Sequence, residues 1–162
     1  MQPLAELRKT YQAHRALIFD ALQSPEQVEA ALKAHAFAVD DVLIQQWQKH
    51  GLDRQPLTLM AVGGYARCEL FPHSDVDILL LHHGADVAAI AGIETFLSEA
   101  WDLGFDVGHS VRSVEECISE AAADVTVATS LLERRTIIGD AGNPLALDQR
   151  WQQAFDVDHF VK

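Results

Sequence analysis

Apolar positions in the first fifty residues recur at helical spacing. Within "LAELRKTYQAHRALIFDAL" (4–22), Leu4, Leu7, Tyr11, Leu17, Ile18 and Leu22 fall along one side of a 3.6-residue repeat, which predicts a helix. "SPEQ" follows, placing Ser24 as an N-cap, Pro25 at the first helical position and Gln27 at the third. A second helix is expected through Val28, Leu32, Phe37, Val42, Leu43 and Trp47, stopping near Gly51. Both read as an accessory layer, with no chemistry visible in them.

From Pro56 the pattern changes to short apolar runs bounded by glycine. "LTLMAVG" and "DVDILLL" read as buried strands, and "GFDVGHSVR" (104–112) as a third. Between the last two, "VAAIAGIETFLSEAWDLG" reads as a helix closed by Gly104. "SVEECISEAAADVTVATSLLERR" opens on Ser113 and Glu116 at capping-box spacing and predicts one or two helices. "TIIGD" is a short edge strand and "NPLALDQRWQQAF" a last helix. The order implies an α/β (α+β) fold with a small mixed sheet. It divides into an N-terminal helical segment (1–55) and a sheet-bearing domain (56–162).

Length and composition add limits. A chain of 162 residues that is 49% hydrophobic and 22% charged can bury roughly two-thirds of its unfolded surface in a real core. Its apolar runs are too short to span a bilayer, and "MQPLAELRKT" reads as a helix start rather than a signal peptide. Cys68 and Cys117 show no metal or disulfide spacing, so a reduced, cytoplasmic setting is expected. A formal net charge of −12, with no basic cluster beyond "ERR" (133–135), disfavours nucleic acid as a partner. No membrane partner is expected either.

The candidate chemistry lies in "GGYARCELFPHSDVDILLL" (63–81). Strand alternation puts Asp75 and Asp77 on one face about 7 Å apart. Two carboxylates that close repel one another, and desolvation adds to the cost. A hard divalent cation, Mg²⁺ or Mn²⁺, removes both penalties and accepts phosphate oxygens as further ligands. Gly63 and Gly64 end the first strand, where backbone N–H groups can approach a phosphate with no Cβ between. The parts suit a nucleoside triphosphate bound with two divalent ions. In "FDVGHSVR", Asp106, Gly108, Ser110 and Arg112 alternate onto one face, so Asp106 is the candidate third acid. Asp102, at a helix end, is the alternative.

The same stretch resembles the signature of the nucleotidyltransferase superfamily typified by DNA polymerase beta. With "WDLGFDVGHSVRSVEECI" and "DVTVATSLLERR" it resembles, more narrowly, the bacterial PII uridylyltransferases over residues 57–140. That resemblance implies metal-dependent transfer of UMP from UTP to a tyrosine of the nitrogen-regulatory protein PII, with release of pyrophosphate. It gives Gly63 and Gly64 to the triphosphate and Asp75 and Asp77 to the metals. Asp106 stands as third acid and activator of the tyrosine hydroxyl, with Arg67 and Ser74 near the phosphates. The family continues into HD and ACT domains, so the chain is expected to be a piece of such an enzyme, without uridylyl removal or glutamine sensing. Ala66 and Cys68 replace family glycines, and both positions are expected to be helical. Two other readings stay open. One is an adenylyltransferase acting on glutamine synthetase or a small molecule; the other is a degenerate nucleotide-binding regulatory module. Intact Asp75, Asp77 and Asp106 speak against the second. The remaining candidates read blandly: His82 and His83 as a solvated turn, His109 as a core or edge residue, and Trp47, Trp101 and Trp151 as packing anchors.

Overall fold

The computed structural model describes residues 2–155. Two long helices, α1 (Leu4–Asp20) and α2 (Val28–Lys49), precede β1 (Thr58–Ala61), the one-turn helix α3 (Gly63–Ala66) and β2 (Val76–His82). Then come α4 (Ile93–Asp102), β3 (Val107–Ser113), α5 (Val114–Ala123), α6 (Val125–Leu132), β4 (Arg135–Gly139) and α7 (Gly142–Ala154). The sheet order is β3-β2-β1-β4, with β2 and β3 parallel and the other pairs antiparallel. The α/β class with a mixed sheet matches the sequence reading.

Why β2 is an unbroken apolar run follows from its place. It lies inside the sheet with helices on both faces, so both sets of alternate side chains need apolar neighbours. Ile78 and Leu80 join α1, α2 and α4 in one core, through Leu7, Tyr11, Leu43, Trp47 and Phe96. Leu79 and Leu81 face the other way, into a second core with Val114, Cys117, Ile118, Leu131 and Leu147 of α5, α6 and α7. The parallel β2–β3 pair requires a crossover, which α4 supplies. Helices α1 and α2 therefore share their core with the sheet. Among the described residues no helix is long and apolar enough to cross a membrane.

Local signals were met unevenly. Ser113 and Glu116 form the expected capping box, Glu116 N–H to Ser113 Oγ at 3.1 Å and Ser113 N–H to Glu116 Oε2 at 2.7 Å. Ser24 does not cap: residues Pro25–Gln27 form a 3-10 turn, and the Gln27 side chain accepts from the Gln23 N–H instead. Helix α4 starts only at Ile93, because Gly92 holds a left-handed backbone (φ +98°) that an α-helix cannot contain. Trp47 is fully buried edge-on to Phe96, but Trp101 is half exposed on α4 and anchors nothing. His82 is buried, not solvated, and its Nδ1 accepts from the Ala85 N–H to close the turn after β2.

Cys68 also departs from expectation. Ala66 is helical, but Cys68 sits in the left-handed region at φ 59°, where a Cβ crowds the following carbonyl. Glycine at the two positions should therefore act with opposite sign. Cys68→Gly is expected to raise unfolding stability by about 0.5 kcal/mol, relieved strain slightly exceeding the added unfolded-state entropy. Ala66→Gly is expected to lower it by about 1 kcal/mol. Denaturant melts of both variants giving the same sign would contradict the backbone argument.

His35 on α2 ties three segments together. It is buried, with Nδ1 donating to the Leu70 carbonyl at 2.8 Å and Nε2 accepting from the Tyr11 hydroxyl at 2.7 Å. Burial first, then the charges of Arg15 and His14, push its pKa below the ordinary value. Protons thus bind the unfolded chain before the folded one. The stability that a neutral His35 confers is present above about pH 6.5 and is lost as pH falls through its folded value. Thermal melts between pH 7 and about 5.5 should show the wild type losing more stability than His35→Gln; equal slopes would remove His35 as the cause.

Candidate functional site

The parallel register of β2 and β3 sets the site. Val76 pairs with Val107, and the Val76 N–H donates to the Asp106 carbonyl at 2.8 Å. The residues one step earlier, Asp75 and Asp106, consequently stand side by side at the start of the two strands. Asp75 lies just ahead of β2 and Asp77 within it, facing Gly108 across the pair. A Cβ on Gly108 would lie 2.3 Å from Asp77 Oδ1, so the carboxylate rests on bare backbone that any side chain would occupy. Asp102 is elsewhere, in a groove with Leu4, Arg8 and Trp101. The fold brings Asp106, and not Asp102, to the pair.

The three acids feel one another. Asp106 is held above the usual carboxylate range by its hydrogen bond with Asp75, then by that neighbour's charge. Asp77 is pushed up by burial first, then by the charges of Asp75 and Asp106. Among the described residues no group of three or more His, Cys, Asp or Glu side chains is placed to hold a metal ion. The arrangement is a cluster of mutually repelling oxygen donors.

The glycine turn abuts this cluster. Val62 is extended, its N–H donating to the Asp77 carbonyl at 3.1 Å, and Gly63 turns the chain at φ +60°. A Cβ on Gly63 would come within 3.9 Å of Asp77 Oδ2 and 3.8 Å of Ser130 Oγ. Beside it a cavity of about 310 Å³ is lined by Gly64, Arg67, Ser74, Asp75 and Asp77. Arg67 is exposed and paired with Glu69 at 2.9 Å and with Glu133. Ser74 accepts from the Phe71 N–H at 3.2 Å, which closes the loop leading into Asp75. All seven residues singled out in the sequence therefore border one region. His73 and His109 are exposed at its margins.

A buried ionic network holds the turn from behind. Asp40 of α2 accepts from Arg135 Nη1 at 2.6 Å, from Arg135 Nη2 at 3.2 Å and from the Tyr65 hydroxyl. Arg135 of β4 also donates to the carbonyls of Tyr65 and Ala66, each at 3.3 Å. Burial first, then the Asp40 charge, keep the Tyr65 phenol far above its ordinary pKa, so it remains a donor. Sequence reasoning passed over Asp40, Arg135 and Ser130. Asp40 carried a signal, since it interrupts the otherwise apolar stripe of Ala36, Val39 and Leu43. Ser130 carried none, and Gly108 was read only as sharing the Asp106 face, because the role of each exists only across strands and helices.

Comparison with known proteins bears on this site. The chain is 45% identical to the bifunctional uridylyltransferase/uridylyl-removing enzyme of Ralstonia nicotianae over 161 residues, which is 99% of this chain and 19% of that enzyme. The enzymes of the same name from Cupriavidus metallidurans and Chromobacterium violaceum are 42% and 43% identical, over 96% and 86% of this chain and 18% and 16% of theirs. No protein-family profile matches. A solved toxin–antitoxin structure with AMP-PNP aligns with 75% of this chain and 98% of its own at 15% identity and a TM-score of 0.39, too remote to inform function. The chain spans about a fifth of the length of the relatives it matches. Along nearly its whole length, then, this chain is a homologue of a segment of the bifunctional uridylyltransferase/uridylyl-removing enzymes.

Proposed function

We propose that the chain carries the transfer site of a metal-dependent uridylyltransferase, moving UMP from UTP to a tyrosine of a PII signal protein. The observation that carries this reading is the packing of Asp75, Asp77 and Asp106 at two parallel strand starts beside the Gly63–Gly64 turn, each of the last two acids with raised proton affinity. The name of the relatives supports UMP as the transferred group.

By its chemistry, rather than as a preformed set, the donor cluster suits a hard divalent ion. Three carboxylates that repel one another, one lying on the bare backbone of Gly108, offer oxygen ligands and gain from added positive charge. Asp75, Asp77 and Asp106 would hold Mg²⁺ or Mn²⁺, which supplies positive charge to the phosphates when bound. The rest falls to the chain's own groups. Backbone N–H groups at the Gly63–Gly64 turn, with Arg67 and Ser74, receive the triphosphate in the cavity that Gly64, Arg67 and Ser74 line. The tyrosine oxygen attacks the α-phosphorus as the bond to the bridging oxygen breaks, and pyrophosphate leaves. Asp106, the outermost acid, takes the phenol proton.

Two substitutions separate this site from a structural cluster. Asp77→Asn is expected to abolish the melting shift given by UTP with Mg²⁺, yet leave the ligand-free protein at least as stable, since a desolvated and repelled charge is removed. Gly108→Ala should abolish the same shift by displacing the Asp77 carboxylate. A large fall in ligand-free Tm for Asp77→Asn would assign that residue to the fold, and a shift with ATP but none with UTP would sink the uridylyl reading.

Acceptor docking is a separate demand. A tyrosine of another protein must be held in line with the α-phosphate, and positioning accounts for much of such a rate. The chain corresponds to about a fifth of its relatives, so weak transfer to PII is expected from it alone. Radiolabelled UTP with PII and Mg²⁺, run beside a full-length enzyme, measures this. Transfer at the full-length rate would show that no docking surface is missing.

A further inference from the structure

A second cavity opens on the other side of Asp77. It measures about 320 Å³ and lies between β3 and α6, walled by Asp77, Gly108, Ser110, Arg112, Thr126 and Ser130. Its floor and one side are apolar, formed by Val62, Leu79 and Leu131. Asp77 lines this cleft and the phosphate-side cavity alike, so the two meet at the acids.

The cleft holds polar groups that the fold does not use. Among the described residues Arg112 forms no ion pair, as is also true of Arg8, Arg15 and Arg54, whereas Arg67, Arg134, Arg135 and Arg150 each hold a carboxylate. Glu116, the acid nearest in sequence to feel Arg112, has its carboxylate turned to the Ser113 N–H. Arg112 is half-buried in a wall that also carries three hydroxyls. An arginine only donates, so the group it awaits must accept.

The cleft's volume of about 320 Å³ can hold a nucleoside. Gly108, beneath the Asp77 carboxylate, and Arg112 are four residues apart on one strand face, a separation of about 13 Å, so Asp77 and Arg112 stand at opposite ends of it. The apolar wall suits a base face, and convergent hydroxyls suit a ribose.

We propose that the cleft between β3 and α6 receives the uridine end of UTP, with Arg112 donating to a pyrimidine carbonyl oxygen and the hydroxyls of Ser110, Thr126 and Ser130 facing the ribose. This rests on the uridylyltransferase reading above and adds how the base is chosen. Uracil turns two carbonyl oxygens outward, whereas adenine offers an amino group where Arg112 needs an acceptor. The α-phosphate then lies at the three acids and the remaining phosphates run toward Gly64, Arg67 and Ser74.

Titration calorimetry with Mg²⁺ tests this, using UTP, ATP and inorganic tripolyphosphate on the 162-residue chain. Arg112→Met is expected to weaken UTP about tenfold, in line with loss of a hydrogen bond from a charged donor. The same variant should leave tripolyphosphate unchanged and shrink the preference for UTP over ATP. Ser130→Ala, a smaller change on α6, should weaken UTP alone and serves if Arg112→Met fails to fold. Equal loss of UTP and tripolyphosphate would make Arg112 a phosphate ligand and overturn the proposal. No loss of either would show the cleft unused and overturn it as well. Wild-type protein that binds neither UTP nor tripolyphosphate would instead overturn the nucleotidyl reading itself, and this inference with it.

Discussion

Parallel, in-register pairing of β2 with β3 forces Asp75 and Asp106 to stand together, and the rest of the site follows from that pairing. Strand pairs with slanted, evenly spaced hydrogen bonds leave no freedom to offset one acid from the other. A one-residue slip would turn Asp77 from the bare backbone of Gly108 into the core that Ile78 occupies, so the apolar alternation of β2 also fixes where the carboxylates point. The repulsion among the acids is accepted because the four apolar residues that follow, Ile78 to Leu81, are fully buried on two faces.

Asp75 and Asp77 were legible because acids abutting an apolar strand are costly without a partner. Asp106 was legible by alternation alone, once "FDVGHSVR" was read as a strand. The capping box at Ser113 and Glu116 is a local device and was read correctly. "SPEQ" has similar local features, but the turn there is tightened and its glutamine bonds Gln23. Gly108 was placed on the same strand face as Asp106, yet its reason, an Asp77 oxygen where its Cβ would be, exists only in three dimensions. Cys68 shows the reverse failure: the local sequence reads as helix, and the chain turns left-handed to bring Glu69 back over Gly64.

The N-terminal helices contribute more than cover. Asp40 reaches from α2 to Tyr65 and Arg135, and Arg135 reaches on to the carbonyls that end α3. A buried ion pair of this kind adds little net stability, since the Coulomb gain mostly offsets desolvation. Its value is geometric. One strand and two helices meet at one guanidinium, and the one-turn helix α3, too short to hold its own shape, is fixed by side chains from both neighbours. Chemistry that depends on placing backbone N–H groups within a few tenths of an ångström is better served by such a network than by apolar packing, which is non-directional.

The charge distribution fits the same economy. With 24 acidic and 12 basic side chains, the chain as a whole repels anions. Three of its eight arginines are spent on single carboxylates: Arg134 on Asp148, Arg135 on Asp40, Arg150 on Glu115. Arg67 keeps a partial hold, exposed between Glu69 and Glu133 at the edge of the phosphate-side cavity. A long polyanion needs a row of unspent cations along its backbone, and its affinity grows with each phosphate neutralised. A single triphosphate needs only a few donors at one point. Gathering three carboxylates there makes the point more negative still, so on the reading proposed above an anionic substrate would be admitted only together with a cation. The acids would then act as a filter, closed to a bare phosphate and open to one that arrives neutralised.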